Sequence, residues 1–167
     1  MPIKVGILTV SDRCSRGEAE DTSGEALSAS IGTLLPSSWV LAERACVPDE
    51  EDHIYGKLVS WSDQKGVNLI LTTGGTGFAK RDVTPEATER VIEKRAPGLT
   101  QLMMAKSLEV TPTAVLSRAA AGIRGKTLIV NLPGSKKAST ECLSFIAKAL
   151  PHAVELLTDQ VLLRTIT

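Results

Sequence analysis

The chain has 167 residues with 19 basic and 19 acidic side chains, one domain's worth of electrically neutral protein without the basic footprint of a nucleic-acid binder. Two tryptophans, one tyrosine and two phenylalanines are too few for a base-stacking surface, and cysteines at 14, 46 and 142 lack the paired spacing of a disulfide framework or zinc site. No apolar run approaches the roughly 18–20 residues of a membrane span and no signal-peptide pattern opens the chain, so reduced thiols in a cytoplasmic protein without membrane or nucleic-acid partners are expected.

Short apolar runs alternate with helical patterns along the chain. Residues 3–10 read as a buried strand, and Asp21 or Ser23 is placed to cap a helix running to Leu35. Residues 39–47 read as a second, half-polar strand, followed by a helix over 49–65 with Ile54, Leu58, Val59 and Trp61 as its apolar positions. A third strand spans 67–73, and Pro85 suits a first helical turn, with Thr84 as the expected cap. In "GLTQLMMAKSL", Leu99, Leu102 and Met103 form an apolar stripe that could face a neighbouring subunit. A fourth strand covers 127–132, and the helical stripe Leu143, Ile146, Leu150, Val154 and Leu157 is interrupted or restarted at Pro151. Strand alternating with helix predicts one three-layer α/β/α domain over 1–167 with a mostly parallel sheet.

Ligands of such sheets bind beyond the carboxyl ends of the strands. Those ends here are "TVSDRCSRGEAEDTSG", "VPDEED", "TTGGTGFAKRD" and "NLPGSKK", the first three of which combine Asp with Ser, Thr or Gly. Gly74, Gly75 and Gly77 permit a tight turn whose N–H groups could cradle an anion, and the helix start that follows favours the same charge. An ordinary strand-to-loop turn would use the same glycines, and an Asp such as Asp49 is also a common helix cap. Two carboxylates, Asp49 and Asp82, at strand ends beside a glycine nest nevertheless form what a magnesium–nucleotide site needs. Other motifs fail on inspection. "GIRGKT" has Ala120 where a P-loop needs its first glycine and leads into a strand, the third glycine of a dinucleotide fingerprint is Lys80, and no G-x-S-x-G occurs. His53, His152 and Cys14 have no suggested catalytic partner.

Taken together, "ILTVSDR", "EDTSG", "VPDE", "LILTTGGTGFAKRDVTPEAT", "PGL", "SL", "TPTAVLSRAAAGIRGKTLIVNLPGSKK" and "EC" resemble the molybdopterin adenylyltransferases, the family of bacterial MogA and of the G domains of plant Cnx and gephyrin. The matching stretches run from residue 5 to about 157. The resemblance implies a MogA-like molybdopterin-binding fold, a homotrimer, and Mg2+-dependent adenylylation of molybdopterin by ATP with release of pyrophosphate. It also implies a partner enzyme that inserts molybdenum. Carried over by position, Asp49 and Asp82 match the essential acidic, metal-holding pair, and Gly74, Gly75, Thr76 and Gly77 match the binding turn. Ser11, Asp12, Asp21, Ser23 and Gly24 match a first-loop wall, and Thr84 and Glu86, opening the following helix, are expected among the substrate- or nucleotide-binding residues. Ser107, Ser117 and Arg118 match a pterin side, and Pro133, Gly134 and Ser135 a nucleotide side. The loop "PGSKKAST" is closer to gephyrin's version, while no linker follows Thr167, so a standalone enzyme is expected. A non-catalytic molybdopterin-binding or scaffold module of the same fold is the alternative, against which the presence of both aspartates argues. A flavodoxin-like regulator fits less well, lacking the phosphorylatable-aspartate arrangement.

Overall fold

The computed structural model describes residues 2–160; the remainder of the expected domain, Met1 and 161–167, lies outside them. The four apolar runs become the parallel strands β1 (Lys4–Val10), β2 (Val40–Val47), β3 (Leu69–Thr73) and β6 (Thr127–Leu132), all in one sheet of order β2-β1-β3-β6-β5-β4. Two short strands absent from the sequence reading, β4 (Lys94–Arg95) and β5 (Ala121–Arg124), add an antiparallel edge. They escape notice because a two-residue, exposed strand and a four-residue, partly exposed one carry too little apolar periodicity to register.

Alternation along the central strands sorts side chains onto two faces. Val5 and Ile7 of β1 lie level with Leu69 and Leu71 of β3, which lie level with Leu128 and Val130 of β6. This face packs against α2 (Thr22–Leu34), α5 (Pro97–Val110), α6 (Lys136–Ile146) and α7 (Leu150–Leu157) through Leu27, Ile31, Met103, Leu143, Ile146, Leu150 and Val154. The opposite face, with Leu8, Val10, Ile70 and Ile129, is covered by α3 (Glu51–Val59) and α4 (Thr84–Val91) through Ile54, Leu58, Ala87 and Val91, with Trp61 from the π turn after α3. The result is the expected three-layer α/β/α sandwich. β2 is half polar because it is an edge strand with one flank in water. The break between α6 and α7 falls where Pro151 was expected to interrupt the stripe, with the proline in the first turn of α7.

One expectation is corrected here. Met103 is buried in the chain's own core and Leu99 packs against it, so of the stripe expected to face a neighbour only Leu102 is exposed. "GIRGKT" is a β-hairpin: β5 pairs with β6 from Arg124–Thr127 outward, and Gly125, at φ 55°, and Lys126 make the two-residue connection. That geometry leaves no helix start for a phosphate, in agreement with the rejection of the motif as a P-loop.

One polar group ties the sheet to α4. Asn131, fully buried in β6, donates to the Thr72 and Thr88 hydroxyls at 3.0 and 2.9 Å and accepts the Ala120 N–H at 3.0 Å. Asn131→Ala would strand that buried N–H, and the expected loss in urea unfolding is about 1–3 kcal/mol. A variant as stable as the wild type would show that the network adds nothing to the fold.

Candidate active site

β1 is followed by α2 on one face of the sheet and β3 by α4 on the other, so the chains leaving these adjacent strands diverge and open a crevice between them. The third loop closes its floor. Gly74, at φ 100°, lies so close to β1 that a Cβ there would collide with the Val10 carbonyl oxygen. Gly75, at φ 71°, leaves room for the Thr84 hydroxyl, which donates to the Gly74 carbonyl at 2.8 Å. Thr84 is therefore not the helix cap: Val83 occupies that position, and the hydroxyl is recruited across the turn instead. From the fourth strand end, the Pro133 carbonyl accepts the Thr73 hydroxyl at 2.7 Å and Gly134 lies against Gly74. Among the described residues the N–H groups of Gly75, Thr76 and Gly77 have no acceptor, the condition of an anion-binding nest.

Asp49 and Asp82 approach this turn from two loops. A Cβ on Gly75 would stand 3.4 Å from Asp49 Oδ1, and one on Gly77 would stand 2.9 Å from Asp82 Oδ2. Asp49 is held through its other oxygen, Oδ2, which accepts the Asp12 N–H at 2.9 Å, while the Asp49 N–H donates to Asp12 Oδ1 at 3.0 Å. Asp82 Oδ2 accepts the Ala79 N–H at 3.0 Å. Each carboxylate thus keeps one oxygen, Oδ1, without a hydrogen bond among the described residues. Burial, reinforced by the charges of Asp12 and Asp82, pushes the Asp49 carboxyl above the usual range. Asp12 goes the other way, down to about 2, chiefly through its hydrogen bonds from the Arg81 guanidinium and then from the Asp49 N–H. No three acidic, histidine or cysteine side chains among the described residues close a metal cage. Two carboxylates with free oxygens beside an anion nest fit Mg2+, which takes one or two carboxylates and fills its octahedron with water and phosphate.

Several other residues expected in the site are committed to the scaffold around it. Ser11 caps the short α1 (Asp12–Ser15) by accepting the Cys14 N–H. Asp21 caps α2 through the Gly24 N–H at 3.0 Å, accepts the Thr9 hydroxyl at 2.8 Å and meets Arg44, while Ser23 and Gly24 are buried in the first turn. Ser135 caps α6 through the Ala138 N–H. Arg118 donates to the Gly77 and Asp82 carbonyls at 2.8 Å each and pairs with Glu86, so these two clamp the glycine loop. Beyond the turn, Thr76, Gly77, Ser107, Ser117, Asn131 and Pro133 share a largely apolar cleft of about 740 Å³ between α5 and α6. Arg118 and Glu86 line a second cleft of about 530 Å³.

A family model described as "Probable molybdopterin binding domain" matches residues 6–152. The chain belongs to this molybdopterin-binding family. It is 48% identical over 159 residues to the molybdenum cofactor synthesis protein cinnamon of Drosophila melanogaster, covering 95% of this chain but 26% of that longer protein. It is 45% identical over 155 residues to the molybdopterin adenylyltransferase of Helicobacter pylori strain 26695, covering 93% of this chain and 88% of the relative. The crystal structure of the molybdopterin biosynthesis enzyme MoaB from Thermus thermophilus superposes with a TM-score of 0.87 at 46% identity, over 94% of this chain and 97% of that one.

Around the candidate site, Arg81 and Asn131 are the residues that sequence reasoning left unassigned. A cation directly before Asp82, facing two acidic loops, was the available signal for Arg81. A lone polar residue in an apolar strand was the signal for Asn131. The glycine geometry yields a contrast: Gly74→Ala combines a left-handed backbone with a backbone collision, whereas Gly98 in α5 has open space and an ordinary φ. Gly98→Ala is expected to be neutral or to stabilise by about 0.4–1 kcal/mol, and Gly74→Ala to destabilise by more than that in denaturant melts. Equal melts for the two variants would contradict the close approach of the third loop to β1.

Proposed function

We propose that this chain is a molybdopterin adenylyltransferase of molybdenum cofactor biosynthesis, transferring AMP from ATP to the terminal phosphate of molybdopterin. The observation that carries the reading is the pairing of Asp49 and Asp82 across a glycine nest at the sheet's switch point, each with an oxygen left free. The name and 88% coverage of the Helicobacter pylori relative support the same reaction.

In the reaction, a phosphate oxygen of molybdopterin forms a bond to the α-phosphorus of ATP. The bond from that phosphorus to the bridging oxygen breaks, and its electron pair leaves with pyrophosphate. Such transfers ask a protein for position and charge compensation rather than a covalent intermediate. The Gly75–Gly77 N–H groups would orient phosphate oxygens, and the Arg118–Glu86 clamp keeps that turn in shape. The cleft of about 740 Å³ beside Thr76 and Gly77, with the Ser107 and Ser117 hydroxyls, would take the pterin. Mg2+, held by Asp49 and Asp82, would supply charge neutralisation for the triphosphate and the departing pyrophosphate.

Two further elements complete the proposal. The chain works as a homotrimer, supported by the exposed Leu102, Leu108, Val110, Val115 and Leu116 on and after α5. It delivers its product in the cytoplasm to a molybdenum-inserting enzyme; among the described residues no helix is long and apolar enough to cross a membrane. Light scattering at micromolar concentration should return three times the chain mass, and a value near one chain would end the trimer claim.

Asp82→Asn tests the chemistry. The amide preserves shape and can still accept the Ala79 N–H, but it carries no charge to hold the metal. Single-turnover formation of adenylylated molybdopterin should fall about 10²–10³-fold, the usual loss for one preorganised electrostatic element, with pterin binding little changed. A wild-type rate would reduce Asp82 to a loop residue, whereas a wild type that forms no product would leave a non-catalytic binding module as the better description.

A further inference from the structure

One cation in the crevice belongs neither to the glycine turn nor to the paired carboxylates. Arg81 donates through Nε to Asp12 Oδ2 at 2.6 Å and through Nη2 to Asp12 Oδ1 at 2.9 Å, with Glu50 3.8 Å away. Asp12 in turn exchanges two hydrogen bonds with Asp49, its N–H to Asp49 Oδ2 and its Oδ1 from the Asp49 N–H. An unbroken set of polar contacts therefore runs from the third loop through the first to the second. It ends on the Asp49 oxygen opposite the one that faces Gly75.

We infer that Arg81 is a positioning residue for adenylyl transfer, fixing Asp12 so that Asp12 aims the Asp49 carboxylate into the crevice. This rests on the adenylyltransferase reading and extends it to a residue outside the acidic pair. The local structure explains why such a tie is needed. Asp12 opens a four-residue helix with no buried side chain, so packing does little to place it. The Asp49 side chain has the Asp12 N–H as its one hydrogen-bond donor among the described residues. A guanidinium fork defines the plane of the carboxylate it grips, which a lysine, bonding at a point, does not. The Arg81 side chain is more than half exposed, so its replacement costs little global stability and a change in turnover is separable from unfolding.

The test compares wild type, Arg81→Gln, Arg81→Lys, Asp12→Asn and the Arg81→Gln/Asp12→Asn double variant. Urea melts, amide hydrogen exchange of the substrate-free chain, and single-turnover kinetics with Mg-ATP and molybdopterin are the readouts. Arg81→Gln should keep its urea midpoint, exchange the Asp49 N–H faster and lose about ten- to a hundredfold in the transfer rate, as expected for a small misplacement of a reacting array. Its KM for molybdopterin should stay unchanged. Arg81→Lys should recover part of the rate, and the double variant should be no slower than Asp12→Asn alone. Unchanged exchange and rate in Arg81→Gln would overturn the inference. So would additive losses in the double variant, which would place Arg81 on the substrate rather than on Asp12. If wild type forms no adenylylated product, the proposed function fails on that result. The exchange experiment still decides whether Arg81 holds Asp49 through Asp12, with unchanged exchange again overturning the claim.

Discussion

The crevice depends on backbone meeting backbone where β1 and β3 end. Gly74 presses against the Val10 carbonyl and Gly134 lies against Gly74, so three strand ends converge where Gly74 can carry no Cβ. Once the chain is packed that tightly, the N–H groups of Gly75, Thr76 and Gly77 find no acceptor among the described residues. An unpaired donor is costly in a sealed interior and useful at a binding surface. The same contact fixes where the carboxylates arrive, because Asp49 and Asp82 abut the positions that side chains on Gly75 and Gly77 would otherwise fill.

Around this floor the strong charges are used to hold loops. Arg118 grips the carbonyls of Gly77 and Asp82 together with Glu86, Arg81 grips Asp12, and Asp21 is engaged by Gly24, Thr9 and Arg44. Charge-assisted bonds of this kind give geometric definition even where their net contribution to stability is small. A site whose dipoles are fixed in advance needs no reorganisation when charge develops at phosphorus. That is how a surface built of loops can still be preorganised.

Much of the fold was legible because its information is periodic. The β1, β3 and β6 runs are apolar on both faces, as a sheet covered on both sides requires, and Pro151 marks the α6–α7 break. β4 and β5 were not legible, since edge strands of two and four residues owe their existence to a neighbour rather than to their own composition. The site divides the same way. Asp49, Asp82 and the glycine turn could be read from residue type and position at strand ends. The cap that Asp21 supplies to α2 was read as well, but the pairing of Arg118 with Glu86 could not be, because a hydrogen bond spanning 32 residues leaves no local trace. Thr84 is the instructive failure. Its preference for a cap position was overridden by a carbonyl ten residues earlier in the chain, that of Gly74, which only tertiary folding brings near.

The electrostatics of Asp49 bear on the proposal that the site takes a cation from outside the chain. Burial raises the cost of its charge, and the neighbouring charges of Asp12 and Asp82 act in the same direction. The nearest guanidinium, Arg81, is already engaged by Asp12 and offsets the effect only in part. The chain therefore concentrates negative charge beside a nest of N–H donors suited to anions, an arrangement that would repel a bare polyphosphate. On the proposed function, a divalent cation would reconcile the two halves, shared between the free carboxylate oxygens and the phosphates that the nest would receive. No protein nucleophile is needed for that chemistry: Cys142 is buried with its thiol pushed up by desolvation, and His53 and His152 pair with Glu50 and Glu155. What the fold contributes is a place where two anions and one cation can be brought into line.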